Sequence, residues 1–254
     1  NMAERGVYFD QAYVTTSLCS PSRASILTGL YAHTHTIVDN QAPNPGNLTY
    51  FPEYLQEAGY QTAFFGKWHM GDDSDDPQPG FHHWESFKGQ GVYTGVTLNI
   101  NGEHTSYEDT VYTSDLLTEH AVEWMEQLES DQPFFVYLSH KAVHSEFKQA
   151  ARHAGMYAGV DYELPATYSQ TQDDSYKELL WPEWVKQQRH SWHGVDYMYH
   201  AKGAVGDLVI DYCETLMGVD ESIGTVMAYL EARGIADETV VIYMGDNGFS
   251  WGEH

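Results

Sequence analysis

Three short apolar runs, at 61–65, 134–138 and 239–244, each break off into a knot of polar residues. The knots are Gly66-Lys67-Trp68-His69, Ser139-His140-Lys141-Ala142-Val143-His144 and Asp246-Asn247-Gly248. The runs are strand-sized, and helical periodicity fills the stretches between them. Ser114 caps a predicted helix to about Glu129 that keeps Leu116, Leu117, Ala121, Trp124, Met125 and Leu128 on one stripe. A longer helix over about 206–233 puts Leu216, Val219, Ile223, Val226, Met227 and Leu230 on its apolar face and ends at Gly234. Such alternation predicts one α/β domain over 1–254, a mostly parallel central sheet flanked by helices on both faces. In open α/β sheets ligands bind beyond the carboxyl ends of the strands, which is where all three knots fall.

Two further features fill in this frame. Residues 20–30 read as a helix whose first turn lies at Cys19 to Ser22, because Pro21 is tolerated there. Cys19 then opens a helix, next to N–H groups and a partial positive charge that favour an anion. Residues 51–58 read as a short helix ended by Gly59, and 71–110 as loops with short β pieces. The segment 145–200 is aromatic, rich in His, broken by Pro165 and Pro182, and reads as an insertion over the loop end of the sheet. It carries Arg189 and His193, candidate contacts to a sugar that bears negative charge.

Composition narrows the function. The chain has 37 acidic against 12 basic residues, a net charge of −25, which excludes a nonspecific nucleic-acid binder because phosphate contacts need clustered Lys and Arg. No window reaches the roughly 18 apolar residues of a membrane span. Two cysteines, Cys19 and Cys213, allow at most one bridge, and Cys213 reads as packing. The carboxylates at 72, 73, 75 and 76 read as a solvated run. Both ends read as cuts through a longer polypeptide, since Asn1 is not preceded by an initiator Met or a signal-like segment and the chain stops at His254 directly after Gly252-Glu253.

Taken one at a time, these residues say little: a lone Cys is more often a small buried hydrophobe, and an Asp-Asn-Gly triplet more often only a turn. Together they say more. Cys19-Ser20-Pro21-Ser22-Arg23, followed by Leu27-Thr28-Gly29, resembles the signature of the type I sulfatases of the alkaline phosphatase superfamily, in which the Cys becomes formylglycine. Gly59-Tyr60-Gln61-Thr62 with Gly66-Lys67-Trp68-His69 is similar to that family's second signature. The stretches 133–144 and 212–248 look like the polysaccharide-directed bacterial sulfatases.

The resemblance implies hydrolysis of sulfate esters on a sulfated carbohydrate, with the hydrated formylglycine at 19 attacking sulfur. It also implies a formylglycine-generating maturation enzyme as partner and a periplasmic or secreted location. Arg23 would hold the diol, Lys67 a sulfate oxygen, and His69 the diol again; strand alternation places Lys67 and His69 on one face. His144 would assist the leaving group, although Val143-His144-Ser145-Glu146 departs from the usual Pro-His-x-Pro, and His140 is its rival. Asp246 and Asn247 would ligate Ca2+, or Mg2+, through hard oxygens. The paired Asp that completes such a metal site is expected upstream of Asn1, and a further active-site Lys beyond His254. Two alternatives stay open: a phosphonate or phosphate ester hydrolase of the same superfamily, and a non-catalytic anion-binding homologue.

Overall fold

The computed structural model describes residues 2–70, 74–166, 182–188, 205–249 and 251. Its helices are α1 (Met2–Arg5), α2 (Cys19–Thr28), α3 (Ala32–His35), α4 (Phe51–Glu57), α5 (Thr113–Glu126), α6 (Glu183–Gln188) and α7 (Val205–Ala232). Its strands are β1 (Gln61–Lys67), β2 (His83–Phe87), β3 (Thr97–Ile100), β4 (Glu103–Ser106) and β5 (Phe134–Ser139), in the sheet order β4-β3-β2-β1-β5. β1 lies between β2 and β5, parallel to both, while β3 and β4 add an antiparallel edge. The α/β class is as expected, and the sheet is mixed.

The alternation of β1 divides the core. Phe64 points to one face and packs with Trp68, Trp84 and Met70 beneath Ala24 and Leu27 of α2. Its neighbours Ala63 and Phe65 point to the other, against Leu116, Leu117 and Ala121 of α5. All of these side chains are buried, so a one-residue slip of β1 would exchange the two cores. α7 packs outside α5, and Thr118 Oγ1 donates to Ser222 Oγ across that contact at 2.6 Å.

Two expectations are corrected. Residues 239–244 form no strand: Thr239 is extended, but the segment joins no ladder among the described residues, and Val240, Ile242, Tyr243 and Met244 are exposed. An apolar run becomes a strand only where an edge accepts its backbone groups, and none of the described strands pairs with it. Asp75 is not solvated but buried, with His104 Nε2 at 3.2 Å from its carboxylate. No helix among the described residues is long and apolar enough to cross a membrane. Of the segment 145–200, the described residues up to 166 lie partly against α7, where Gln149 Nε2 donates to Glu214 and His153 Nε2 stands 2.9 Å from Glu221. Arg189 and His193 lie outside the described residues.

Candidate active site

β1 and β5 end side by side, with Gly66 opposite Ser139. Gly66 has φ 108°, and a Cβ there would sit 2.0 Å from the Ser139 carbonyl oxygen. Only glycine permits that approach. It brings Ser139 Oγ to 2.8 Å from the Lys67 carbonyl, to which it donates. Arg23, one helical turn past Cys19, closes the corner: Nη1 donates to the same Lys67 carbonyl and, at 2.9 Å, to Ser139 Oγ, while Nε donates to Asp246 Oδ2 at 2.9 Å. The guanidinium is buried and its fork is committed to three partners. Next to it, Ser20 Oγ donates to the His69 carbonyl at 2.7 Å and holds His69 at φ 44°.

The helix N-terminus contributes less than expected. Pro21 has no N–H, the Ser20 N–H donates to Asn40 Oδ1 at 3.0 Å, and the Ser22 N–H donates to the Leu18 carbonyl. Three positions of the first turn are thus unavailable to a ligand, and attraction for an anion falls mainly on side chains.

Those side chains share one field. Burial, then the Arg23 charge, pushes Lys67 down to about 8, with Cys19 and Asp246 opposing. His69 is pushed down to about 3 by burial and by Lys67, Arg23 and His144. His144 is pushed down to about 4 by burial and Lys67. For Asp246, burial would raise the carboxyl, but Arg23 and Lys67 outweigh it and hold it below its ordinary value. Near pH 7 the cluster therefore holds Arg23 and a mostly protonated Lys67 against one carboxylate, with two neutral imidazoles. A low-dielectric corner with surplus positive charge favours an anion, and an arriving anion would raise Lys67, His69 and His144.

Of the expected residues, Arg23, Lys67, His69, His144 and Asp246 act on one another here, and Cys19 acts on Lys67. His140 is separated from them: its Nε2 lies 2.9 Å from Ser222 Oγ, which ties the loop after β5 to α7, and burial pushes it down to about 4. His144 instead has its carbonyl held by Tyr93 Oη at 2.5 Å. Asn247 is exposed, its amide donating to the Gly248 carbonyl at 2.5 Å.

The sulfatase family profile matches residues 1–254. The chain belongs to the sulfatase family. This sulfatase chain is 30% identical to an N-acetylglucosamine-6-O-sulfatase of Bacteroides thetaiotaomicron, over 100% of the chain and 53% of the relative. It is similar to a protein solved in complex with its substrate D-glucosamine-2-N,6-O-disulfate, with a TM-score of 0.77, 29% identity, and coverage of 97% of the chain and 59% of that structure. A phosphonate monoester hydrolase from Silicibacter pomeroyi shares the fold, with a TM-score of 0.62 at 21% identity, covering 89% of the chain and 52% of that structure. The chain spans about half the length of the curated relatives it matches.

Family likeness raises the question of a metal. Asp246 and Asn247 have the hard oxygens that calcium and magnesium take, but calcium takes about six to eight ligands. No group of three or more His, Cys, Asp or Glu among the described residues could hold an ion, and Asp246 is engaged by Arg23. These residues of the sulfatase chain do not complete a shell, so no step is assigned to a metal.

Sequence reasoning missed three participants. Ser139 and Lys141 were read only as members of the polar knot after 134–138, and Gln90 was one residue of a loop. Lys141 adds its charge to the field on Lys67 and His144, and its ammonium rests 4.8 Å from the centroid of the Tyr93 ring. Its place between His140 and His144 was the available signal.

Proposed function

We propose that this chain is the anion-binding and nucleophile-bearing part of a sulfuric ester hydrolase acting on a sulfated sugar, with a 6-O-sulfated glucosamine as the substrate class. One observation supports it above the rest: in a chain of net charge −25, a buried corner gathers Arg23, Lys67, His69 and His144 around a single carboxylate, with Cys19 of the sulfatase signature on the helix that carries Arg23. An N-acetylglucosamine-6-O-sulfatase at 30% identity and a structure in complex with D-glucosamine-2-N,6-O-disulfate at 29% identity support the sugar class.

Cys19 fits conversion to formylglycine by a maturation enzyme, because it opens the helix that carries Arg23 and lies within the electrostatic reach of Lys67. When formed, that group supplies a nucleophilic hydroxyl and a second hydroxyl that lets the sulfate depart. The rest belongs to the chain. Lys67 pairs with a sulfate oxygen and neutralises charge that the low dielectric would otherwise penalise. Arg23, fixed by Ser139 and Asp246, keeps Lys67 and α2 in register. His144 gains a proton only as the anion raises its pKa, which suits it to protonate a departing alkoxide, a contribution of about 10²–10⁴-fold. Asp246 and Asn247 would supply two oxygen ligands to a Ca2+ or Mg2+ shell that other residues would finish. Arg189 and His193 remain candidate sugar contacts.

The test is sulfate release from 6-O-sulfated N-acetylglucosamine by protein shown by mass spectrometry to carry formylglycine at 19. Release that disappears in Lys67→Ala supports the reading. A converted enzyme that frees no sulfate from any sulfated saccharide overturns it. The fold shared with a phosphonate monoester hydrolase keeps that chemistry as the second reading, and kcat/KM on matched aryl sulfate and phosphonate esters separates the two.

A further inference from the structure

His69 carries an unexplained pair of buried atoms. Its Nδ1 has no hydrogen-bond partner, and neither does Oε1 of Gln90, although the Gln90 amide nitrogen stands 3.5 Å from His69 Nε2. A buried polar atom without a partner loses its hydration uncompensated, so a fold rarely leaves two on neighbouring side chains without a use. The oxygen and nitrogen of an amide exchange places on a half-turn: with Oε1 toward the ring it faces His69 Nε2, which can carry a proton and donate it, while the amide nitrogen takes the place where Oε1 stands.

We propose that Gln90 is a positioning residue that accepts a hydrogen bond from His69 Nε2–H through Oε1, fixing the tautomer in which Nδ1 offers a lone pair to a hydroxyl in the active site. The ring must be neutral for this, and it is buried beside two cations, which disfavours a third charge. A neutral imidazole has one donor and one acceptor nitrogen, so whatever meets Nε2 decides what Nδ1 can do. Without a fixed partner the two tautomers would mix, and part of the population would aim an N–H where a hydroxyl proton must be accepted.

The scaffold is built to make this contact. β1 and β2 are parallel, with Lys67 opposite Phe87, so the residues just beyond each strand meet at one edge, His69 from β1 and Gln90 from β2. The loop that presents Gln90 turns on Gly89 at φ 55° and Gly91 at φ 64°. A Cβ on Gly91 would lie 2.3 Å from the Phe87 ring, so the loop is pressed onto a buried aromatic and its position is set by packing. On the opposite side Ser20 fixes the His69 backbone. The imidazole is thus held at its carbonyl by α2 and at Nε2 by the loop after β2, with Nδ1 the one ring nitrogen left to meet a ligand.

What the lone pair is for rests on the sulfatase reading, but the tautomer can be measured without activity. Nitrogen-15 NMR of the ring in the wild-type chain is expected to show a protonated Nε2 and an unprotonated Nδ1. A proton on Nδ1 overturns the proposal whatever the enzyme does. In Gln90→Leu the two ring signals should move toward those of a tautomer mixture, and in Gln90→Glu, which retains the acceptor, they should stay as in wild type. On matured enzyme Gln90→Leu should lower kcat about 10-fold with KM little changed, and Gln90→Glu should restore most of it. Unchanged ring signals in Gln90→Leu overturn the proposal; the expected signals in a matured enzyme that frees no sulfate instead count against the sulfatase reading alone. The wild-type spectrum decides the tautomer even if a variant does not fold.

Discussion

The corner where β1 meets β5 and the segment 239–249 supply the two partners of one ion pair, yet they are built in opposite ways. At the corner Lys67 and Arg23 are buried, and Gly66 and Ser139 touch through backbone that accepts no other arrangement. In the segment Asp246 reaches Arg23 from a stretch where Val240, Ile242, Tyr243 and Met244 face solvent and whose backbone joins no ladder among the described residues. Positions proposed to hold an anion are therefore fixed by the two cores. The carboxylate proposed to help hold a cation is fixed mainly by its pairing with Arg23. Arg23 is the hinge of this asymmetry, because its guanidinium hydrogen-bonds both to the corner and to Asp246.

If the corner is rigid, Gly66→Ala should be the most damaging small change. The new methyl meets backbone at 2.0 Å in a φ region that L-residues avoid, and strain plus overpacking should cost roughly 4 kcal/mol in urea unfolding. A loss below about 1 kcal/mol would mean that the strands part easily. Arg23→Ala should come next, at about 3 kcal/mol, because it removes a buried partner from Asp246 and from Ser139 together. Release of 239–249, read as faster amide exchange there than in β1, should accompany it.

Lys67 gives a test with a sign. Its folded value, about 8, lies below the ordinary 10.5, so between those pH values the unfolded chain binds more protons and this group's contribution to stability rises with pH. Lys67→Met should consequently be most favoured relative to wild type below pH 8 and lose that advantage as pH approaches 10.5. A pH-independent difference would remove the buried charge from the account. Calcium should bind this chain weakly, with a Kd no tighter than about 1 mM by calorimetry, since Asp246 and Asn247 make at most part of a shell. Smallest of all, Val240→Ser and Ile242→Thr should each change stability by no more than about 0.5 kcal/mol, because the side chains they alter are already in water.

Why some of this was legible beforehand follows from the same contrast. β1, β5, α5 and α7 announce themselves because one face or stripe of each is apolar, and burial then sets their register. Arg23, Lys67, His69 and Asp246 were legible through the order of motifs along the chain. The segment 239–244 was misread because a hydrophobic run records the wish for a partner, not its presence. Asp75 was misread because a single His supplied far along the chain, His104, makes its burial possible. His144 was placed ahead of its rival His140 by resemblance alone, and the contact that draws His140 away, Ser222 on α7, lies 82 positions further along the chain. Gln90 left no mark in the sequence, since its relation to His69 exists only once two parallel strands end together.

The most direct test of the central claim is to follow the Lys67 ammonium by nitrogen-15 NMR as pH is raised, with and without inorganic sulfate. Titration near 8 that sulfate moves upward is the expected result. Titration at the ordinary lysine value, unmoved by sulfate, would contradict an anion site built on this buried charge.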